Sequence, residues 1–78
     1  MISGVVVASR PEDLAAVRGA VEAFSWADVH YEDPAGRLVV TVEAGGIDDS
    51  VERVTKLQAL PNVLSAMMAE YRMEGDET

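Results

Sequence analysis

The chain has 78 residues, no cysteine, and 14 acidic side chains against six lysines and arginines, which gives a net charge of −8. This length predicts a single small domain, and the lack of cysteine excludes disulfides, thiolate catalysis and cysteine-based metal sites. Nucleic acids and anionic membranes are poor partners for so acidic a chain, because binding their phosphates requires lysine and arginine.

The N-terminal region has neither the basic start nor the cleavage pattern of a signal peptide. No apolar run approaches the ~20 residues that cross a bilayer. We therefore expect a cytoplasmic protein without membrane insertion.

The first half of the chain predicts a strand, a helix and a second strand. Residues 2–8 are rich in valine, which favours a strand. The second strand is expected at residues 28–32, after a connection that contains Trp26. Between the strands, apolar residues recur with helical spacing: Leu14, Val17, Val21 and Phe24.

The second half repeats this order about 33 residues later. Asp33-Pro34-Ala35-Gly36 has the composition of a type I turn, and residues 37–43 alternate as a third strand. Residues 63–71 predict the fourth strand. The apolar positions of the intervening helix again share one side: Ile47, Val51, Val54 and Leu57.

The order βαββαβ predicts an α+β, ferredoxin-like domain over residues 1–73, followed by a disordered acidic tail at 74–78. Right-handed crossovers place both helices on one face of a four-stranded antiparallel sheet, with the strand order 4-1-3-2. The other face of the sheet is then left uncovered.

Alternation along each strand separates the two faces. The helix-covered face is expected to contain Val5, Val7, Val29, Tyr31, Leu38, Val40, Val42, Leu64, Ala66 and Met68. The uncovered face is expected to contain Gly4, Val6, Ala8, His30, Glu32, Arg37, Val39, Thr41, Glu43, Ser65, Met67, Ala69 and Tyr71. The second set is small and apolar at its centre and charged at its margins, a pattern typical of an interaction surface.

No pattern of residues predicts catalysis, a metal site or a bound cofactor. His30 is the single histidine and has no nucleophile at a suggestive spacing. Asp48 and Asp49 are explained by the start of a helix, where carboxylates complement the dipole. We therefore expect a protein that is not an enzyme and carries no cofactor.

Three segments, 2–12, 29–44 and 57–66, resemble the NapD family, the cytoplasmic chaperones of periplasmic nitrate reductase. The resemblance covers residues 2 to about 71. It implies a ferredoxin-like chaperone that binds the twin-arginine signal peptide of the catalytic subunit of that molybdenum-dependent reductase. Export is then delayed until the cofactor is inserted and folding is complete.

The resemblance also implies that the signal peptide lies as a helix on the uncovered face. Glu32 and Glu43 are our candidates for its arginine pair, since carboxylates bind guanidinium groups in bidentate fashion. The apolar and rim contacts would come from Gly4, Val6, Ala8, Val39, Thr41, Met67, Ala69 and Tyr71.

Two other functions share this topology. A regulatory module of the ACT type would sense a small molecule at a dimer interface, and a homodimeric structural subunit would bury the uncovered face against a second copy. The residues leave open whether the free protein is a monomer or a weak homodimer.

Overall fold

The computed structural model describes the backbone of residues 1–72 and the side chains of residues 1–69. The acidic tail predicted at 74–78 lies outside this part. Within residues 1–72 the chain forms the expected βαββαβ order with one added 3-10 turn. The elements are β1 (Ile2–Ser9), the 3-10 turn (Pro11–Asp13), α1 (Leu14–Glu22), β2 (Ala27–Asp33), β3 (Arg37–Glu43), α2 (Ile47–Gln58) and β4 (Val63–Arg72).

The four strands of the described chain form one antiparallel sheet in the order β2-β3-β1-β4. This confirms the predicted order 4-1-3-2 and the ferredoxin-like fold. Both helices cover the same face of the sheet, because their apolar sides share one core with the inward residues of the strands. That core consists of Val5, Val7, Leu14, Val17, Val21, Ala27, Leu38, Val40, Val42, Val54, Leu57 and Ala66. Neither helix within residues 1–72 is long and apolar enough to span a membrane.

The turn between β2 and β3 requires the glycine at its end. The amide of Gly36 donates to the carbonyl of Asp33 at 2.8 Å, and the amide of Ala35 donates to the Asp33 carboxylate at 3.0 Å. Gly36 has a φ of 114°. A Cβ at this position would lie 2.2 Å from the backbone oxygen of Ser9, so a larger residue cannot fit without movement.

The two inner strands pair without interruption. Over seven consecutive positions each residue of β1 faces one residue of β3, for example Val5 opposite Val40 and Val6 opposite Val39. Consequently, all the faces predicted for these two strands are confirmed. The core residues of β1 and β3 are fully buried, whereas their alternate neighbours lie on the uncovered side.

The outer strands contain three bulges, at which the ladder skips one residue. In β2 the skipped residue is His30, because Val29 faces Val40 and Tyr31 faces Val39. In β4 the skipped residues are Leu64 and Ala69. A bulge places an additional residue on one strand and therefore reverses the alternation beyond it.

Because of these bulges, two residues that were predicted to lie in the core are exposed. Tyr31 is 60% exposed and Leu64 is 65% exposed, so neither belongs to the core. Met68 lies towards α2 as expected but is 41% exposed. Alternation fails at Tyr31 and Leu64 because it assumes that every residue of a strand has one partner.

Candidate functional site

The face of the sheet opposite the helices, hereafter the open face, is the candidate site. Its members follow from the pairing register, because residues directly opposite in neighbouring strands point to the same side. Those with described side chains are Ile2, Gly4, Val6, Ala8, Asp28, His30, Tyr31, Asp33, Arg37, Val39, Thr41, Glu43, Ser65 and Met67. This includes most of the predicted set and adds Ile2, Asp28, Tyr31 and Asp33.

A row of four apolar side chains crosses the middle of the open face. Tyr31 faces Val39, Val39 faces Val6, and Val6 faces Met67, so each strand contributes one residue. Tyr31 and Met67 are 60% and 66% exposed. Residues directly opposite in this way lie about 4.5–5.5 Å apart at Cβ and therefore form one continuous surface. We call these four residues the apolar row.

Acidic side chains lie on one side of the apolar row, towards the start of β1. Thr41 faces both Gly4 and Asp28, and Glu43 faces Ile2. Among the side chains of residues 1–69, neither Asp28 nor Glu43 forms an ion pair with a lysine or arginine. We call Asp28 and Glu43 the acidic end of the open face.

His30 adds a polar group beside the acidic end. Its Nε2 shares a hydrogen bond of 2.7 Å with the hydroxyl of Thr41. His30 is the residue of β2 that has no partner in β3.

On the other side of the apolar row, Arg37 faces Ala8 and Asp33, and Ala8 faces Ser65. One cation and one anion lie opposite each other here, so this end carries no net charge. The open face is therefore polarised along the strands, with its negative charge concentrated at the acidic end.

The expectation that Glu32 lies on the open face is wrong. Glu32 faces Leu38, whose side chain is buried under the helices. Its carboxylate instead accepts a hydrogen bond of 2.7 Å from Nη1 of Arg18 in α1. The cause is the bulge at His30, which reverses the alternation before Glu32 is reached.

Arg18 binds two carboxylates at once. Its Nε lies 3.3 Å from the Glu22 carboxylate, in addition to the contact with Glu32. The hydrogen bond to Glu32, followed by that to Glu22, raises the pKa of Arg18 above its ordinary value. Glu32 thus already has a cationic partner on the helix side of the sheet.

Four residues of the open face were not predicted to lie there: Ile2, Asp28, Tyr31 and Asp33. Asp28 precedes His30 by two positions, so alternation along β2 was sufficient to identify it. Tyr31 could not be identified in this way, because its position depends on the bulge. Of the other predicted residues, Ala69 is exposed within the second bulge of β4. The side chain of Tyr71 lies outside the described part of the chain.

The aspartates at the start of α2 have a structural role. The carboxylate of Asp49 accepts a hydrogen bond of 2.9 Å from the amide of Gly45 and lies 3.3 Å from Nε of Arg53. In the part of the chain that the structure describes, no three histidine, aspartate or glutamate side chains are grouped so that they could hold a metal ion.

A second apolar feature lies on the other side of the sheet, between α2 and β4. This helix-side cleft has a volume of about 190 Å³ and is lined by Met1, Ile47, Ser50, Val51 and Met68. Pockets for small ligands occupy about 300–1,000 Å³, so the cleft is small even for these. A more open groove of about 510 Å³ adjoins it along α2 and β4 and is lined by Val51, Val54, Thr55, Gln58, Ala66, Met67 and Met68.

Comparisons with known proteins agree with this architecture. The sequence profile of the NapD protein family matches residues 1–74. A search of curated proteins finds no match. Among solved structures, the solution structure of the E. coli Tat proofreading chaperone protein NapD superimposes with a TM-score of 0.84 at 23% identity. The alignment covers 100% of this chain and 85% of that one. The chain belongs to the NapD family.

Proposed function

We propose that this protein is a cytoplasmic chaperone that binds a twin-arginine signal peptide on the open face of its sheet. The client is the catalytic subunit of a molybdenum-dependent periplasmic nitrate reductase. While bound, its signal peptide is withheld from export until the cofactor has been inserted and folding is complete. The observation that carries the proposal is the apolar row with the acidic end beside it.

The apolar row suits a helical peptide. An amphipathic or hydrophobic helix presents a stripe of apolar side chains, and such helices bind in shallow apolar grooves. Gly4 and Ala8 lie on either side of Val6 in β1, so the middle of the sheet is low and leaves space for the helix. The exposed ends of the row, Tyr31 and Met67, would contact its flanks.

The acidic end supplies carboxylates that an arginine pair can bind. Carboxylates bind guanidinium groups through two parallel, charge-assisted hydrogen bonds. Asp28 and Glu43 are both exposed. The net charge of −8 would also accelerate encounter with a cationic peptide, by an amount that falls as salt is added. Glu43 remains a candidate from the sequence, whereas Asp28 replaces Glu32.

The polarity of the open face suggests the direction of the peptide. In a signal peptide the positive region precedes the hydrophobic region. With the arginines at the acidic end, the hydrophobic region would run over the apolar row in the direction of β1. The C-terminal end of the bound helix would then approach Arg37, which complements the negative end of a helix dipole.

Calorimetric titration with the synthetic signal peptide of the nitrate reductase encoded in the same genome tests the proposal. Val39→Asp should raise the Kd by at least about 100-fold, because a charge would be buried under the peptide. Val51→Asp is the matched control. It places the same charge on an exposed valine in the helix-side cleft and should leave the Kd unchanged.

A second peptide in which both arginines are lysines tests the acidic end. Lysine lacks the planar fork that a carboxylate binds in bidentate fashion, so its affinity should be about tenfold lower. Equal weakening by Val39→Asp and Val51→Asp, or no binding of the native peptide, would contradict the proposal. Far-UV circular dichroism of both variants verifies that the fold is retained.

A further inference from the structure

The apolar row ends in a thioether that is open to solvent. Met67 is 66% exposed, more than any other large hydrophobic side chain within residues 1–69. Met67 faces Val6 at the centre of the sheet. We propose that Met67 is an oxidation site through which hydrogen peroxide switches off peptide binding. This inference rests on the proposed function and adds its regulation.

The chemistry is a two-electron oxygen transfer. A lone pair of the Met67 sulfur attacks one oxygen of the peroxide, and the S–O bond forms as the O–O bond breaks. The transferred oxygen gives its proton to the hydroxide that leaves, which becomes water. Sulfur is thereby oxidised to the sulfoxide and the peroxide is reduced; methionine sulfoxide reductases reverse the change.

The sulfoxide would lower the affinity for the peptide directly. Its oxygen is a strong hydrogen-bond acceptor on a residue that was apolar. Against the flank of an apolar helix this oxygen would lose water without gaining a partner, and burying an unpaired polar group is costly. The free protein pays no such penalty because Met67 is exposed.

The other described methionines are placed differently. Met68 is 41% exposed and lines the helix-side cleft. The sulfur of Met1 accepts a hydrogen bond of 3.3 Å from the hydroxyl of Ser50, which engages one of its lone pairs. Met67 also borders the groove along α2 that Met68 lines. Of these three methionines, however, Met67 is the one that faces Val6 on the open face, and it is more exposed than Met68, so we expect it to react before Met1 and Met68.

The test uses the full chain with Met68→Leu and Met73→Leu, which leaves Met1 and Met67 as its methionines. The protein is treated with hydrogen peroxide, freed of it, and titrated with the synthetic twin-arginine peptide. Peptide mapping by mass spectrometry should find the added oxygen on Met67. The Kd should rise about tenfold or more and return to its initial value after treatment with the reductases.

Two controls separate the switch from general damage. In Met67→Leu the ratio of the Kd after treatment to the Kd before it should stay near one. Bound peptide should slow the oxidation of Met67 and leave that of Met1 unchanged. A sulfoxide at Met67 with an unchanged Kd, equal losses in Met67→Leu, or a lost far-UV spectrum would overturn the inference. Failure of the untreated protein to bind would refute the proposed function and, with it, this regulation.

Discussion

The inner strands of the sheet pair regularly, whereas the outer strands do not. β1 and β3 face each other over seven consecutive residues without a bulge. β2 and β4 contain three bulges between them, at His30, Leu64 and Ala69. An inner strand is hydrogen-bonded along both edges, whereas an outer strand has one free edge, where an extra residue disturbs fewer bonds. Alternation is therefore a dependable guide to faces only where both edges are paired.

The inner and the outer strands also contribute differently to the core and to the open face. The inner strands supply most of the fully buried side chains of the sheet. The bulge in β2 decides which side chains of its second half reach the open face. The bulge at His30 adds Tyr31 to it and turns Glu32 towards α1. Changes in the two kinds of strand should accordingly affect different properties.

The largest contrast is expected between two leucines. Leu38 of β3 is fully buried, whereas Leu64 lies in a bulge of β4 and is 65% exposed. Leu38→Ala should lower the free energy of unfolding by about 2–5 kcal/mol, because it leaves a cavity in the core. Leu64→Ala should lower it by less than ~1 kcal/mol. Urea denaturation of both variants measures the difference. Similar losses would mean that Leu64 is part of the core after all.

A smaller effect is expected at the turn that joins an outer to an inner strand. Gly36→Ala should destabilise the protein by about 2 kcal/mol or more, since alanine is strained at a φ of 114° and its Cβ overlaps the carbonyl of Ser9. Gly19→Ala is the matched control. Gly19 is exposed in α1 with nothing near its missing Cβ, so alanine should stabilise by about 0.5–1 kcal/mol. Thermal unfolding distinguishes the two, and destabilisation by both would contradict this explanation.

Hydrophobic spacing was sufficient to predict the order of elements, the strand order and the faces of β1 and β3. These follow from helical and strand periods that the core imposes on every residue it contacts. The positions of Tyr31, Glu32 and Leu64 were not predictable from alternation, because a bulge changes the face of a residue without changing the residue types around it. The sequence thus indicated which face is open more reliably than which side chains of β2 line it.

The carboxylates of β2 and β3 provide a test of which charged groups belong to the site. Asp28→Asn, Glu43→Gln and Glu32→Gln each remove one negative charge, so their effect on the overall field is the same. Asp28→Asn and Glu43→Gln should each weaken peptide binding about three- to tenfold through lost charge-assisted hydrogen bonds. Glu32→Gln should leave the Kd nearly unchanged, because its carboxylate faces α1. Equal weakening by all three would indicate that only long-range attraction acts.

The smallest expected effect lies between Arg18 and Glu32. Both side chains are more than one third exposed, at 43% and 40%, so solvent screens their attraction. A double-mutant cycle with Arg18→Gln and Glu32→Gln should give only a small coupling, reduced further in 1 M salt. Glu22 would retain part of the contact with Arg18 when Glu32 is replaced, which lowers the coupling.

Glu32→Gln also tests on which face of the sheet the side chain of Glu32 lies. If the bulge at His30 turns it towards α1, Glu32→Gln changes the free energy of unfolding slightly and leaves peptide binding unchanged. If the alternation continued through β2 without a bulge, Glu32→Gln would have no coupling to Arg18 and would weaken binding as Glu43→Gln does. The first case changes stability and leaves the Kd unchanged, whereas the second raises the Kd and shows no coupling to Arg18. One glutamate therefore reports whether the irregular pairing of an outer strand shapes the open face.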